Sequence, residues 1–203
     1  MKTDHLNRLR YNLYAPIYDA AGALFSAARR EALNRLALVP GEKLLIIGCG
    51  TGLDLDFIPP GVEITGLDVS AGMLARARRR AARSGLTVNL LEGDARSLPF
   101  TDASFDAIIL HLILAVAPEP EIVAREAARV LRPSGRVSVF DKFLHADSRP
   151  SVLRSILNAP ARWFFSDLNR QVEPLLLPAG LQIVADSPSG FGGRYRRLLA
   201  LKP

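Results

Sequence analysis

The 203-residue chain has one cysteine, three histidines and two methionines. A single Cys49 excludes an internal disulfide, and with the histidines scattered no zinc pattern forms. Cys49 stands between two glycines with no histidine nearby, so it reads as a small loop residue rather than a nucleophile. Long hydrophobic runs are also missing. The longest, AIILHLILAVA from Ala107 to Ala117, is too short to span a bilayer and contains His111. The opening MKTDHLNRLRYNLY lacks the apolar centre of a signal peptide, which sets the expectation of a cytoplasmic protein. Low-complexity tracts and internal repeats are absent, and 49% hydrophobic with 23% charged residues suits one well-buried globular domain. The net charge of +6 attracts phosphate, in nucleic acid or in anionic lipid head groups, without choosing between them.

Strand and helix patterns alternate through most of the chain. Strands are predicted over 43–47, 62–67, 86–91, 105–110 and 136–140. A helix over 71–85 is opened by Ser70 as N-cap and closed by Gly85, and a second over 121–135 is closed by Pro133 and Gly135. The alternation predicts an α/β fold with a parallel sheet between helices. At the end, 181–186 and 194–201 are joined by SPSGFGG without a helix, which predicts an antiparallel hairpin at the sheet edge.

The run LLIIGCGTGLDL places Gly48, Gly50 and Gly52 directly after the first strand, where an open α/β sheet binds its ligand. Gly52 lies four residues after Gly48, one short of the GxGxxG dinucleotide spacing, and no Gly-Lys-Ser/Thr follows for a triphosphate loop. With LDVS after the second strand and EGDARSLPF after the third, the pattern resembles class I S-adenosylmethionine-dependent methyltransferases over residues 40–140.

The resemblance implies a Rossmann-like, doubly wound seven-stranded sheet with a terminal antiparallel hairpin, and S-adenosylmethionine as cofactor. Gly48, Gly50 and Gly52 would let the backbone approach the methionine and ribose portions. Asp68 would accept the two ribose hydroxyls, Asp94 would face the adenine amino group, Ala95 would offer a backbone N–H to the ring, and Val69 and Met73 would pack on it. Taken singly, Asp68 could cap the next helix, Asp94 could sit in a turn and Met73 could be helix packing. Most members carry an acid two residues before the first glycine, where this chain has Ile46. Asp54, read as an exposed carboxylate after the loop, is expected either to take over the methionyl ammonium or only to stabilise a helix terminus.

The lead-in NRLRYNLYAPIYD resembles that of the ubiquinone and menaquinone methyltransferases and of bacterial phospholipid N-methyltransferases. The whole order, with GCGTGLDL, HLILAVAPEP, FDKFL, SDLNR and a final GRYRRLLALKP, most resembles the bacterial phospholipid (phosphatidylethanolamine) N-methyltransferases, closely in the core and more loosely after Asp141. The implied division is an N-terminal amphipathic helical lid (1–38), a cofactor-binding core (40–140), an acceptor or membrane-facing insertion (141–180) and the hairpin (181–203). Tyr14 and Tyr18 are the lid candidates, with core packing as the alternative. Arginines interleave with apolar residues at helical spacing near the N-terminus and, around Trp163, Phe164 and Phe165, between Arg149 and Arg170. Such segments suit an anionic membrane surface or merely cover the sheet. The implied reaction methylates an ethanolamine nitrogen in steps. His111 and Tyr18 are the candidate bases, with His111 alternatively a core or cofactor-wall residue. Arg170, Arg194 and Tyr195 are the candidates for the lipid phosphate, against a solvated strand edge. Arg78, Arg79 and Arg80 read as a solvated helix face. A phospholipid substrate at the inner face of the membrane is therefore expected, with a quinone or other hydrophobic acceptor as rival. The missing RNA-binding module and NPPY motif argue against nucleic acid, and no obligate protein partner is inferred.

Overall fold

The computed structural model describes residues 24–144, 170–190 and 195–203. Tyr14, Tyr18, Arg194 and the tryptophan-containing segment lie outside them. Helix α1 (Ser26–Asn34) precedes β1 (Lys43–Ile47), a 3-10 turn (Leu53–Phe57), β2 (Glu63–Asp68), α2 (Ala71–Arg83), β3 (Val88–Glu92) and β4 (Phe105–His111). Then come α3 (Pro120–Val130), β5 (Leu131–Asp141), the single-turn α4 (Glu173–Leu176), β6 (Gln182–Ser189) and β7 (Tyr195–Leu201).

The seven strands lie in the order β3-β2-β1-β4-β5-β7-β6, with β7 antiparallel to both neighbours and the other pairings parallel. The unbroken aliphatic run of β1 follows from this central place. Leu44, Leu45, Ile46 and Ile47 are all at most 2% exposed, and a fully buried side chain of this size contributes about 1.5–3 kcal/mol. Alternation assigns them to opposite faces. Leu45 and Ile47 join Ile108, Leu110, Val137 and Val139 beneath Val123 and Ala127 of α3. Leu44 and Ile46 join Ala107 and Ile109 against Leu33 of α1 and Leu74 of α2.

Ser70 caps α2 as read, its hydroxyl accepting the Met73 N–H at 3.2 Å. The third helix is shorter than the sequence pattern, ending at Val130, and 131–141 is strand. Pro133 explains the difference, because the residue before a proline is driven out of the helical region. Parallel order reverses between β1 and β4, so the carboxyl ends of β1, β2 and β4 open a crevice at that switch point.

Asp141 closes β5 and is 1% exposed, with its carboxylate accepting the N–H groups of Ala115 at 2.9 Å and Lys142 at 2.8 Å. Burial pushes its carboxyl up to about 6 against those two donors, which favour the charged form. The folded state thus holds this proton more tightly than the unfolded chain. Its contribution to stability is complete below about pH 4 and is lost as pH rises to about 6. Chemical denaturation of the wild type and of Asp141→Asn is expected to show the difference in stability shifting against the wild type by roughly 2 kcal/mol between pH 4 and 7. A difference independent of pH would contradict this.

Candidate active site

The loop after β1 turns back through left-handed backbone at Gly48, Gly50 and Gly52, with φ of +68°, +55° and +80°. Their surroundings differ. A Cβ on Gly48 would meet Ile113 Cδ1 at 2.5 Å and one on Gly52 would meet Leu55 Cδ1 at 2.8 Å, so these two permit close packing within the protein. Gly50 alone of the three faces open space, with nothing within 4 Å of a Cβ. Its N–H donates to Asp68 Oδ2 at 2.8 Å, and the Ser70 N–H donates to Oδ1 at 2.9 Å. Each carboxylate oxygen keeps a lone pair for a further donor. Burial raises the Asp68 carboxyl above its ordinary range, opposed by the N–H groups of Ser70, Gly50 and Val69.

One cleft gathers Gly48, Gly50, Asp68, Val69, Met73, Asp94, Ala95 and His111, residues that the sequence reading assigned to the cofactor. Gly52 and Asp54 do not line it. Asp94 is held in a fork by Arg96, with Nη2 at 2.6 Å and Nε at 3.0 Å from Oδ2. Arg96 also reaches Glu119 at 2.6 Å, which links the loop after β3 to the start of α3. Cys49 is buried, and burial followed by the charges of Asp68 and Asp54 pushes its thiol far up, which keeps it protonated and agrees with a structural loop residue.

Asp54 departs from its expectation as an exposed carboxylate. It is 3% exposed, accepting Arg29 Nη1 on Oδ2 at 2.7 Å and His111 Nδ1 on Oδ1 at 2.7 Å. Burial would raise its carboxyl, but the positive charge of Arg29 and the contact with His111 hold it far below the usual range. Buried among these partners and absent from the cleft lining, Asp54 does not present a carboxylate to a cofactor ammonium. His111 is similarly occupied, because its Nε2 meets Ser138 Oγ at 2.9 Å, and Ser138 donates in turn to the Ala32 carbonyl at 3.1 Å. As arranged, neither ring nitrogen is free to take a proton from an acceptor, so the geometry favours the cleft-wall alternative over the base. Its partners are 57 and 27 residues away in the sequence, beyond the reach of any local motif.

The substrate candidates also find internal partners. Arg170 donates to the carbonyls of Leu114 and Ala117 and stitches the segment after β4. Tyr195 packs on Phe25 at 4.8 Å and Phe140 at 5.7 Å between ring centroids. Arg196, unremarked in sequence, is 2% exposed and bonds Asp186, Glu173 and the Leu144 carbonyl. Arg29 was missed as well, because its basic amphipathic surroundings read as a surface pattern.

The donors and acceptors fit S-adenosylmethionine. Asp68 retains acceptor capacity for two ribose hydroxyls, Gly50 leaves the space, and Met73, Val69 and Ala95 supply an apolar wall beside Asp94. Comparison with known proteins agrees. Residues 45–139 match the family model described as "Methyltransferase domain". The chain is 34% identical over 202 residues to a phosphatidylethanolamine N-methyltransferase of Cereibacter sphaeroides, covering 96% of each chain. It is 32% identical over 142 residues to a demethylmenaquinone methyltransferase of Renibacterium salmoninarum, covering 67% of this chain and 58% of that relative. Among solved structures, the [4+2]-cyclase SpnF superposes with a TM-score of 0.74 at 24% identity, over 88% of this chain and 81% of that one, a likeness of fold.

Gly50→Ala is expected to weaken S-adenosylhomocysteine binding by tenfold or more in calorimetry, while strained left-handed backbone lowers stability by only about 1–2 kcal/mol. Unchanged affinity would contradict the cradle role. With the sequence match spanning both chains almost end to end and the cleft formed of residues suited to the cofactor, the chain belongs to the class I S-adenosylmethionine-dependent methyltransferases.

Proposed function

We propose that this methyltransferase acts on the amine of phosphatidylethanolamine and its partly methylated intermediates at an anionic membrane surface. The observation that carries the reading is the extent of the match. Similarity to the phosphatidylethanolamine N-methyltransferase runs over 96% of both chains and so takes in the segments expected to shape the acceptor site, whereas the demethylmenaquinone methyltransferase of Renibacterium salmoninarum is matched over just 58% of its length. The net charge of +6 favours approach to anionic lipid. Among the described residues, no helix is long and apolar enough to cross a membrane.

When bound, the cofactor supplies a methyl group already activated on a sulfonium. The protein then has to align the acceptor nitrogen, keep water out and let the amine attack as the neutral form. Ile113, Val116, Ala117 and Pro118 give the cleft an apolar wall suited to the second task. With His111 held at both ring nitrogens, Tyr18 is the remaining candidate for the proton. Arg170 contributes by fixing the loop that carries Ala117, and the lipid phosphate falls to Arg194, which precedes Tyr195 in the sequence. A quinone or other hydrophobic acceptor is the second reading, favoured by the similarity to demethylmenaquinone methyltransferases.

Incubation with labelled S-adenosylmethionine and vesicles of phosphatidylethanolamine, with and without an anionic lipid, is expected to place label in mono-, di- and trimethylated lipid, more rapidly with the anionic component. Cofactor binding with no labelled phospholipid, and label instead in a demethylated quinone, would replace the first reading by the second.

A further inference from the structure

Arg29 lines the cofactor cleft from α1, yet neither the glycine loop nor the motifs after β2 and β3 pointed to it. It is 7% exposed. A guanidinium carries five N–H donors. Nη1 is spent on Asp54, and the Nε–H is buried without a hydrogen-bond partner. Such an orphan costs free energy in the protein alone, while the planar fork of an arginine can serve two carboxylates on different edges.

The charges around the cleft are distributed unevenly. Asp68, Asp94 and Arg96 lie toward the β2 and β3 side, with Arg96 forked onto Asp94 and reaching Glu119. On the β1 and β4 side are Gly48, His111 and Arg29, the last two joined through Asp54. If Asp68 holds the ribose, this second end faces the amino-acid portion of the cofactor, which carries an ammonium and a carboxylate. Ile46 is buried and apolar at the position two before Gly48, and both oxygens of Asp54 are engaged by Arg29 and His111. No carboxylate among the described residues lines this end of the cleft; the fixed charge offered there is the Arg29 cation.

We infer that Arg29 recognises the α-carboxylate of the cofactor, so that this site reads the amino-acid end by its anion rather than by an acid on its ammonium. Asp54 acts as a positioning residue: it anchors one edge of the guanidinium and leaves the other for the ligand. The inference rests on the cofactor assignment and is independent of which acceptor is methylated.

Calorimetric binding of three probes tests it directly: S-adenosylhomocysteine, its decarboxylated analogue and its deaminated analogue. The wild type is expected to lose about tenfold to a hundredfold in affinity when the carboxylate is removed, the range for hydrogen bonds to a charged group, and markedly less when the amine is removed. Arg29→Lys keeps a cation for Asp54 but has no planar fork, and Arg29→Met with Asp54→Asn removes both charges without leaving either buried alone. Both proteins are expected to bind S-adenosylhomocysteine nearly as weakly as the decarboxylated analogue, whose own affinity changes little. A wild type indifferent to the carboxylate would overturn the inference, as would either variant retaining the full preference. Because no methyl acceptor is present, this result stands apart from the lipid assay.

Discussion

The ion pair between Arg29 and Asp54 is formed where neither charge can reach much water, and its neighbours are arranged to make that tolerable. Arg29 from α1 bonds Asp54 in the 3-10 turn, Asp54 bonds His111 at the end of β4, His111 bonds Ser138 in β5, and Ser138 returns to the Ala32 carbonyl of α1. The circuit closes across four elements. Taking two ions from water costs several kcal/mol each, so the pair is sustainable only because Coulombic attraction and the additional hydrogen bonds offset that cost together. Loss of one member would leave a buried charge, a larger penalty than absence of the whole set. The circuit therefore fixes α1 over the switch point of the sheet and sets one wall of the cofactor cleft.

That placement connects the fold to the chemistry. The β1 loop delivers Gly50 and, through its N–H, orients Asp68, while the same sheet end carries His111 into the wall. Leu112 follows His111 with a positive φ of +59° and donates its N–H to the Phe140 carbonyl at 2.7 Å, so the chain leaves β4 abruptly and brings Ile113 against Gly48. Backbone of this kind costs a leucine about 1–2 kcal/mol. It is retained where the cleft needs an apolar wall close to the glycine loop. Methyl transfer from an activated donor asks mainly for such a dry, ordered space.

Much of this was legible in the sequence, for physical reasons that vary by element. KLLII could be read as a central strand because burial on both faces requires an unbroken aliphatic run, and its bounds, Lys43 and Ile47, are those found. The hairpin was visible because two strand patterns were separated by glycines and proline with no helix between. Asp68 and Asp94 gained meaning from their positions after successive strands. Asp54 misled because local rules favour an acid in the first turn of a helix, whereas its real partners, Arg29 and His111, are 25 and 57 residues distant. Arg29 sits in the run AARREAL, where periodicity describes an amphipathic helix but cannot distinguish a charge facing solvent from one turned inward. The three glycines looked equivalent, and the differing roles of Gly48, Gly50 and Gly52 depend on side chains brought in from Ile113 and Leu55.

The organising role of the buried pair is open to one direct test, a double-mutant cycle on the free energy of unfolding with Arg29→Met, Asp54→Asn and the two combined. Buried partners in a shared network are expected to couple by about 2–3 kcal/mol, with the double variant more stable than the sum of the single losses implies. Additive losses, with coupling below about 0.5 kcal/mol, would mean that the two charges do not support one another and would contradict the account.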